Sequence, residues 1–264
     1  MVIFLSLKMK NEILKIILPK RNVADVESDK EKLFGAIPEL KAEDGFDQKS
    51  TYHDKDVFEH TLTVLESLDK RTPELCMAAL LHDIAKPECF SVDANGYGHF
   101  YGHEYAGAEK AKAIMERLGF SLEETDEAVR LIALHDSVPE TKKGMRKAIV
   151  ANGIDFVKEL IELAKADGEG HAPEARLRKE TEMAKAEFLV SEIEADEAKA
   201  SKKKLAINGN DLIAIGYEPG PAIGAELERL LNDVVGEKVE NSRESLLSEA
   251  KTDAQIPWED PAEK

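Results

Sequence analysis

The sequence predicts an all-α protein. Apolar residues recur at intervals of three and four along most of the chain, which is the period of an amphipathic helix. No run of alternating apolar and polar residues is long enough to build a sheet. Helix-start signals and helix-stop glycines divide the chain into separate helices, and 264 residues are enough to bury a core.

Two helices are predicted in the first third of the chain. The segment D-V-F-E-H-T-L-T-V-L, at 56–65, carries an apolar face at helical spacing. Thr72 and Pro73 then supply an N-cap and a first-turn proline. The helix that follows runs to His82, and Asp83 comes near its end.

The middle of the chain contains two more clear helices. Ser121-Leu122-Glu123-Glu124 reads as a capping box directly after Gly119, and its helix continues to about His135. A further helix is predicted from Phe156 to Asp167, with a stop at Gly168.

The last third is strongly charged. Residues 173–204 are predicted to form one long exposed helix that connects two parts of the chain. Its few apolar residues, Leu177, Phe188 and Ile193, leave a stalk or a partner face as the alternative. A compact helical appendage at 205–250 and a loose tail at 251–264 complete the prediction.

Composition limits the function classes. Lys and Arg number 36 against 53 Asp and Glu, so the formal net charge is −17 and non-specific nucleic-acid binding is disfavoured. Only Cys76 and Cys89 occur, which indicates a reduced, cytoplasmic setting rather than a disulfide framework. The opening M-V-I-F-L-S-L is too short to span a bilayer, and it is either a packing segment or lies upstream of a start at Met9.

Ionisable residues fall on the predicted apolar faces of three helices. His60 lies on the face of the first helix, His82 and Asp83 end the second, and Asp167 shares a face with Leu160. A buried carboxylate costs several kcal/mol unless a partner compensates its charge. A divalent cation would compensate all four groups at once, and imidazole with carboxylate suits Mn, Fe, Co, Ni or Zn better than Mg. Each residue alone could instead be a hydrogen-bonded core group.

Other polar residues extend this candidate site. His103 begins a helix after a glycine-rich loop and His135 ends one, so both suit a second cation, with helix-terminal roles as the alternative. Lys86, one turn beyond His82, is a candidate phosphate clamp or a solvated lysine. His53 is a candidate substrate contact or an ordinary loop residue. Three further polar residues are predicted to lie outside the ligand set: His99, His171 and Asp136.

With these residues assembled, the chain resembles the HD superfamily of metal-dependent phosphohydrolases, whose signature is H…HD…D. The resemblance assigns His60, His82, Asp83 and Asp167 to one cation, and His103 and His135 to a second that Asp83 bridges. The flanking segments Q-K-S-T-Y-H-D-K-D-V-F-E-H-T-L at 48–62 and F-Y-G-H-E-Y-A-G-A at 100–108 are similar to the HD-containing C-terminal half of bacterial CCA-adding tRNA nucleotidyltransferases.

This resemblance covers about residues 32 to 250. It implies an HD-domain helical bundle at 32–172, an N-terminal segment at 1–31, the long charged helix at 173–204 and a helical tail subdomain at 205–250. The family's nucleotidyltransferase head has no counterpart in this sequence, so nucleotide addition to tRNA is not expected. The tail holds three basic residues against nine acidic ones, which disfavours RNA binding there.

The resulting hypothesis is a phosphohydrolase that acts on a nucleotide or cyclic nucleotide, with Asp83 and Lys86 as the catalytic residues and His53 and Lys86 at the substrate. It needs one or two divalent metal ions and no membrane. The alternative is a non-catalytic module related to tRNA nucleotidyltransferases that binds RNA or a protein. The long charged helix also leaves a homodimer open.

Overall fold

The fold is helical, as the sequence predicts. The computed structural model describes residues 2–203, 205–236 and 238–253. Within these ranges the only strands are Ser91–Val92 and Gly98–His99, an antiparallel pair that we call β1 and β2. No helix in the described ranges is long and apolar enough to cross a membrane.

The chain divides into two compact units, 1–190 and 191–264. The first unit contains the helices α1 (Val2–Ile17), α2 (Val23–Glu27), α3 (Lys30–Ala36), α4 (Val57–Ser67), α5 (Pro73–Leu81), α6 (Lys86–Cys89), α7 (His103–Leu118), α8 (Leu122–Leu134), α9 (Lys142–Asn152) and α10 (Ile154–Glu169), with a 3-10 helix at Pro38–Ala42. Helix α11 (Pro173–Lys203) crosses the division, and α12 (Gly209–Ala214), α13 (Pro221–Val235) and α14 (Arg243–Asp253) lie in the second unit.

Helix α5 lies at the centre of the first unit. The Thr72 side chain accepts a hydrogen bond from the Leu75 amide and Pro73 opens the helix, as the sequence predicts. Every residue from Leu75 to Leu81 is buried, because α4, α8 and α10 pack around the helix. A helix that is apolar on all sides belongs inside a core. It therefore delivers His82, its C-cap residue, to the interior.

Helices α8 and α10 differ in how closely they match the sequence prediction. The capping box of α8 forms between Ser121 and Glu124, and His135 is the C-cap residue, so this prediction is confirmed. Helix α10 begins at Ile154 and continues through Gly168 to Glu169, beyond the predicted stop. The bare Cα of Gly168 faces Lys179, whose side chain would collide with a Cβ there, so close packing rather than a helix stop explains this glycine.

The long helix α11 is present over nearly the predicted range, but it is not exposed on all sides. Leu177 and Phe188 are exposed, whereas Met183, Ala186 and Ile193 are buried. The buried positions recur at helical spacing between charged residues, so one face packs while the rest is solvated. The expectation of an exposed helix is therefore wrong for this face.

The second unit has its own small core. Leu212, Leu230 and Leu246 come from α12, α13 and α14 and are buried together. The Tyr217 hydroxyl donates to the Ala250 carbonyl at 2.9 Å and joins the segment after α12 to α14. The predicted loose tail at 251–264 lies largely outside the described residues, and the predicted domain boundaries stay predictions.

Candidate metal centre

Two groups of metal-competent side chains meet at Asp83. In the first, the Nε2 atoms of His60 and His82 are 3.3 Å apart and lie 3.4 and 3.2 Å from Asp83 Oδ2. Asp167 Oδ1 lies 3.1 Å from His60 Nε2. All four residues are buried. The structure thus brings together the four residues that the sequence places on three separate helix faces or ends.

The second group uses the other oxygen of Asp83. His103 Nε2 lies 3.5 Å from Asp83 Oδ1 and 3.3 Å from His135 Nε2. His103 and His135 are buried at the start of α7 and the end of α8. Gly102, with φ of 78°, starts α7 in a left-handed conformation that favours glycine. Asp83 therefore faces one cluster with each carboxylate oxygen.

Backbone carbonyls orient three of the imidazoles. The Nδ1 atoms of His82, His103 and His135 lie 2.9, 2.9 and 2.7 Å from the carbonyl oxygen three residues earlier in each case. A carbonyl only accepts, so each Nδ1 must donate a proton. In the neutral ring this leaves the Nε2 lone pair facing the cluster, as in histidines that ligate metal ions.

The donor set fits a divalent transition-metal ion. Metal–nitrogen distances of about 2.1 Å place two ligand nitrogens roughly 3.0 to 3.4 Å apart at ordinary coordination angles. The observed Nε2 separations of 3.3 Å fall in that range. Neither buried oxygen of Asp83 accepts a well-directed hydrogen bond from any described residue. Imidazole with carboxylate favours Mn, Fe, Co, Ni or Zn over Mg.

The buried charged groups of this site stabilise one another's ionised forms. Burial alone would raise the pKa of Asp83, but His82 and Lys86 hold it well below its usual range. Burial likewise opposes ionisation of Asp167, whose pKa His171, His60 and His82 hold low. Burial would lower the pKa of His82, yet Asp83 and Asp167 outweigh it and raise it to about 10, so a divalent cation that binds His82 must displace this proton. The two carboxylates therefore stay ionised and attract positive charge.

Lys86 and His53 also lie at this site. Lys86 is buried, with Nζ 2.7 Å from Asp83 Oδ2, and it donates to Gln48 Oε1 at 3.1 Å. The alternative of a solvated lysine is therefore wrong. His53 packs edge-on against His60 with ring centroids 5.0 Å apart. Burial and the nearby Lys86 lower the pKa of His53 to about 2, so its ring is neutral at physiological pH.

A cavity of about 740 Å³ is lined by members of both clusters, Asp83 and Asp167 from the first and His103 and His135 from the second. Its lining includes Lys86 and His53 together with residues from the β1–β2 hairpin and the first turns of α11. His99, His171 and Asp136 also line it, although the sequence places them outside the ligand set. A concave cavity with a few polar groups in its lining is typical of a small-molecule site.

His171 is the most informative residue that sequence reasoning missed. Its Nε2 lies 3.5 Å from Asp167 Oδ2, and its ring is nearly parallel to that of His60 with centroids 5.8 Å apart. Lys179 Nζ approaches the same Asp167 oxygen at 3.6 Å. The signal was the i, i+4 spacing of Asp167 and His171, which aligns residues across a helix end.

The approach of Gly170 to His60 is unusually close. A Cβ at Gly170 would lie 2.6 Å from His60 Cε1 and closer still to Nδ1. The backbone of Gly170 is ordinary right-handed helix, with φ of −78°, so only the space demands glycine. This contact fixes where the His60 ring lies.

Comparison with known proteins places this chain in a family. Residues 105–250, more than half of the chain, match the family described as tRNA nucleotidyltransferase domain 2, putative. The chain is 29% identical over 203 residues to the A-adding tRNA nucleotidyltransferase of Deinococcus radiodurans, which covers 74% of this chain and 46% of the relative. It is 28% identical over 233 residues to the CC-adding tRNA nucleotidyltransferase of Thermus thermophilus, covering 85% of this chain and 51% of the relative.

A shorter match of 35% identity over 102 residues, or 38% of this chain and 24% of the relative, is to the multifunctional CCA protein of an Azoarcus species. The chain spans about half the length of the first two relatives. The family match runs from Tyr105, in the first turn of α7 and two residues after His103, to Ala250 and so takes in His135 and Asp167. This chain therefore belongs to the tRNA nucleotidyltransferase domain 2 family.

Proposed function

We propose that this protein is a metal-dependent phosphohydrolase of the HD type that acts on a nucleotide or cyclic nucleotide. The observation that carries the proposal is the shared carboxylate of Asp83. One oxygen faces a pair of imidazole nitrogens and the other faces a second pair. A carboxylate between two such groups is the arrangement expected of a two-metal hydrolytic site.

In this proposal His60, His82, Asp83 and Asp167 hold one divalent cation, and Asp83, His103 and His135 hold another. When bound, such cations supply a nucleophilic water at neutral pH and neutralise phosphate charge. The chain itself supplies the orientation: the carbonyls of Ala79, Phe100 and Ile132 fix three imidazoles. Preorganised ligands of this kind need no rearrangement during the reaction.

Lys86 and His53 act on the substrate in this proposal. The ammonium group of Lys86 lines the cavity beside Asp83, where a phosphate oxygen can replace one of its present contacts. His53 Nδ1 is buried and has no hydrogen-bond partner in the described part of the chain. As a neutral ring it can donate or accept one hydrogen bond to a bound ester without adding charge.

The direct test combines metal content and turnover. The protein is purified without chelator, its bound transition metal is measured, and a panel of 2′,3′-cyclic, 2′- and 3′-nucleotides and dinucleoside polyphosphates is assayed with Mn or Fe. We expect retained metal and turnover in the wild type, and loss of both in Asp83→Ala. The exposed Asp126 provides a matched control, since Asp126→Ala should change neither.

Protein that carries no tightly bound metal would contradict the cation assignment. Metal content that is unchanged when His103 and His135 are replaced would reduce the proposal to one cation. Nucleotide hydrolysis would be contradicted if the wild type binds metal but hydrolyses no member of the panel, so that its turnover equals that of Asp83→Ala.

The second candidate is a non-catalytic module that binds RNA or a protein partner. Two matched relatives are named as A-adding and CC-adding tRNA nucleotidyltransferases, which favours a module that binds tRNA. The acidic balance of the chain opposes it, because phosphate contacts need clustered cations. Titration with tRNA at 50 and 200 mM salt separates the two: saturable binding without hydrolysis supports the module, and its absence removes that branch.

A further inference from the structure

Three exposed tyrosines line the cavity above the two clusters. Tyr52, Tyr97 and Tyr101, which we call the tyrosine rim, are 48%, 49% and 77% exposed. The whole chain has five tyrosines, so more than half of them stand around this one opening. Large aromatic groups gathered in solvent at the mouth of a site indicate a binding surface for planar apolar groups.

Two of these rings are held in place by neighbours. The Arg178 guanidinium carbon lies 5.1 Å from the centre of the Tyr52 ring. The His99 ring is parallel to Tyr101 within 6°, with centroids 5.3 Å apart. Because Tyr101 is still 77% exposed, a large part of its surface remains open to a ligand. A fixed aromatic ring stacks on another planar group at a lower entropic cost than a mobile one.

The cations of the cavity are few and already have acidic neighbours. Lys86 lies by Asp83, Lys179 by Asp167, and Arg178 is 3.6 Å from Glu182. This arrangement can accept one or two phosphates inside the cavity, but it offers no long basic track for a duplex.

We propose that the tyrosine rim binds the end of a single-stranded oligonucleotide, with one base on Tyr52 and another on Tyr101 and their phosphate directed into the cavity. This inference rests on the proposed function and narrows its substrate class from a single nucleotide to an oligonucleotide end. Two aromatic platforms on different segments accommodate two bases, whereas a mononucleotide occupies only one. Tyr97 completes the edge of the same opening.

Binding without turnover provides the test. Fluorescein-labelled diadenylate is titrated by anisotropy into the full chain in EDTA, with adenosine 5′-monophosphate and inorganic phosphate as competitors. We expect diadenylate to bind at least tenfold more tightly than the mononucleotide, and inorganic phosphate to compete weakly. Tyr52→Ala and Tyr101→Ala should each weaken diadenylate binding roughly 5- to 150-fold, which is the loss of about 1–3 kcal/mol of base stacking.

Tyr101→Phe is the matched control because it keeps the ring and removes only the hydroxyl, so affinity should stay close to wild type. One or two phosphate contacts also predict a shallow salt dependence, with a slope of log K against log salt of roughly −0.7 to −1.4 for a single strand. A second control, Lys143→Ala with Lys147→Ala, removes two exposed cations of α9 that do not line the cavity. This pair should leave binding unchanged.

Equal affinity for the mononucleotide and diadenylate would overturn the two-platform proposal. So would a loss of binding in the α9 variant with no loss in the tyrosine variants, since the ligand would then dock on α9. Failure of the proposed function would give a different result. Diadenylate would still bind and the tyrosine variants would still weaken that binding, but no ester would be hydrolysed in the presence of metal.

Discussion

Replacing Gly170 by alanine should displace His60 and weaken metal binding without unfolding the protein. The added Cβ would lie 2.6 Å from His60 Cε1, whereas carbon atoms in contact settle at about 3.5 Å, so the ring must move by about 1 Å. His60 Nε2 now lies 3.3 Å from His82 Nε2 and 3.1 Å from Asp167 Oδ1. A shift of that size removes His60 from ligand distance.

The expected loss in metal affinity is roughly 10- to 100-fold, the usual effect of disturbing a group that orients a metal ligand. Titration calorimetry with Mn or Zn measures the affinity, and elemental analysis measures the stoichiometry. Gly35 provides the matched control, because the space around it is open and alanine favours its helix. Gly35→Ala should therefore bind metal as the wild type does.

Wild-type affinity in Gly170→Ala, together with loss of metal in His60→Ala, would refute the argument from close approach. Wild-type affinity in both variants would instead refute the assignment of His60 as a ligand. Circular dichroism of Gly170→Ala should show unchanged helix content, since its backbone angles suit alanine.

Three further predictions concern stability. Burial, assisted by the charge of Asp83, raises the pKa of Glu43 well above its usual value, so the folded state binds this proton more tightly than the unfolded chain. This tighter proton binding stabilises the folded state below the unfolded pKa of about 4.3, and the stabilisation is lost as the pH rises through the folded pKa. Glu43→Gln should therefore raise the urea midpoint at pH 7 but not at pH 4. Arg71 donates to the Leu18 and Leu65 carbonyls at 2.7 Å each, and Arg71→Ala should lower the free energy of unfolding by about 1–3 kcal/mol. Ser121→Ala removes the N-cap of α8 and should cost about 0.5–2 kcal/mol by the same measurement.

Each of these predictions has its own contradicting result. A Glu43→Gln protein that is less stable than wild type at pH 7 would mean that the carboxylate is ionised and favourably paired. Recovery of full stability in Arg71→Lys would show that charge, rather than the geometry of several donors, holds the two carbonyls. A Ser121→Asp protein as unstable as Ser121→Ala would contradict the capping argument, because aspartate also caps helices.

Sequence patterns were sufficient where local chemistry decides the structure. His60, His82 and Asp167 could be placed on buried faces because helical periodicity fixes which residues share a side. The Ser121 capping box predicted the start of α8 for the same reason: its hydrogen bonds join residues three apart. Helical faces and helix ends are local properties, so a single sequence contains them.

Tertiary packing decided the rest. Leu177 and Ile193 are both large apolar residues of α11, yet one is 66% exposed and the other 1%. His171 lies in a bend after α10, where its i, i+4 spacing from Asp167 is the available local signal, and only the fold places its ring over His60. The strand β2, which carries His99, has two residues and is too short to produce an alternating pattern.

The contact between Lys86 and Asp83 makes the stability of the fold less dependent on a bound metal ion. Small metalloproteins often fold only when an ion neutralises their buried ligands. Here the chain brings its own counter-ion, an ammonium 2.7 Å from the carboxylate that both clusters share. Removing one partner of a buried ion pair typically costs about 3–5 kcal/mol, so Lys86→Met should make the fold depend on added cation. With Lys86 in place, the helical core can persist through changes in metal availability.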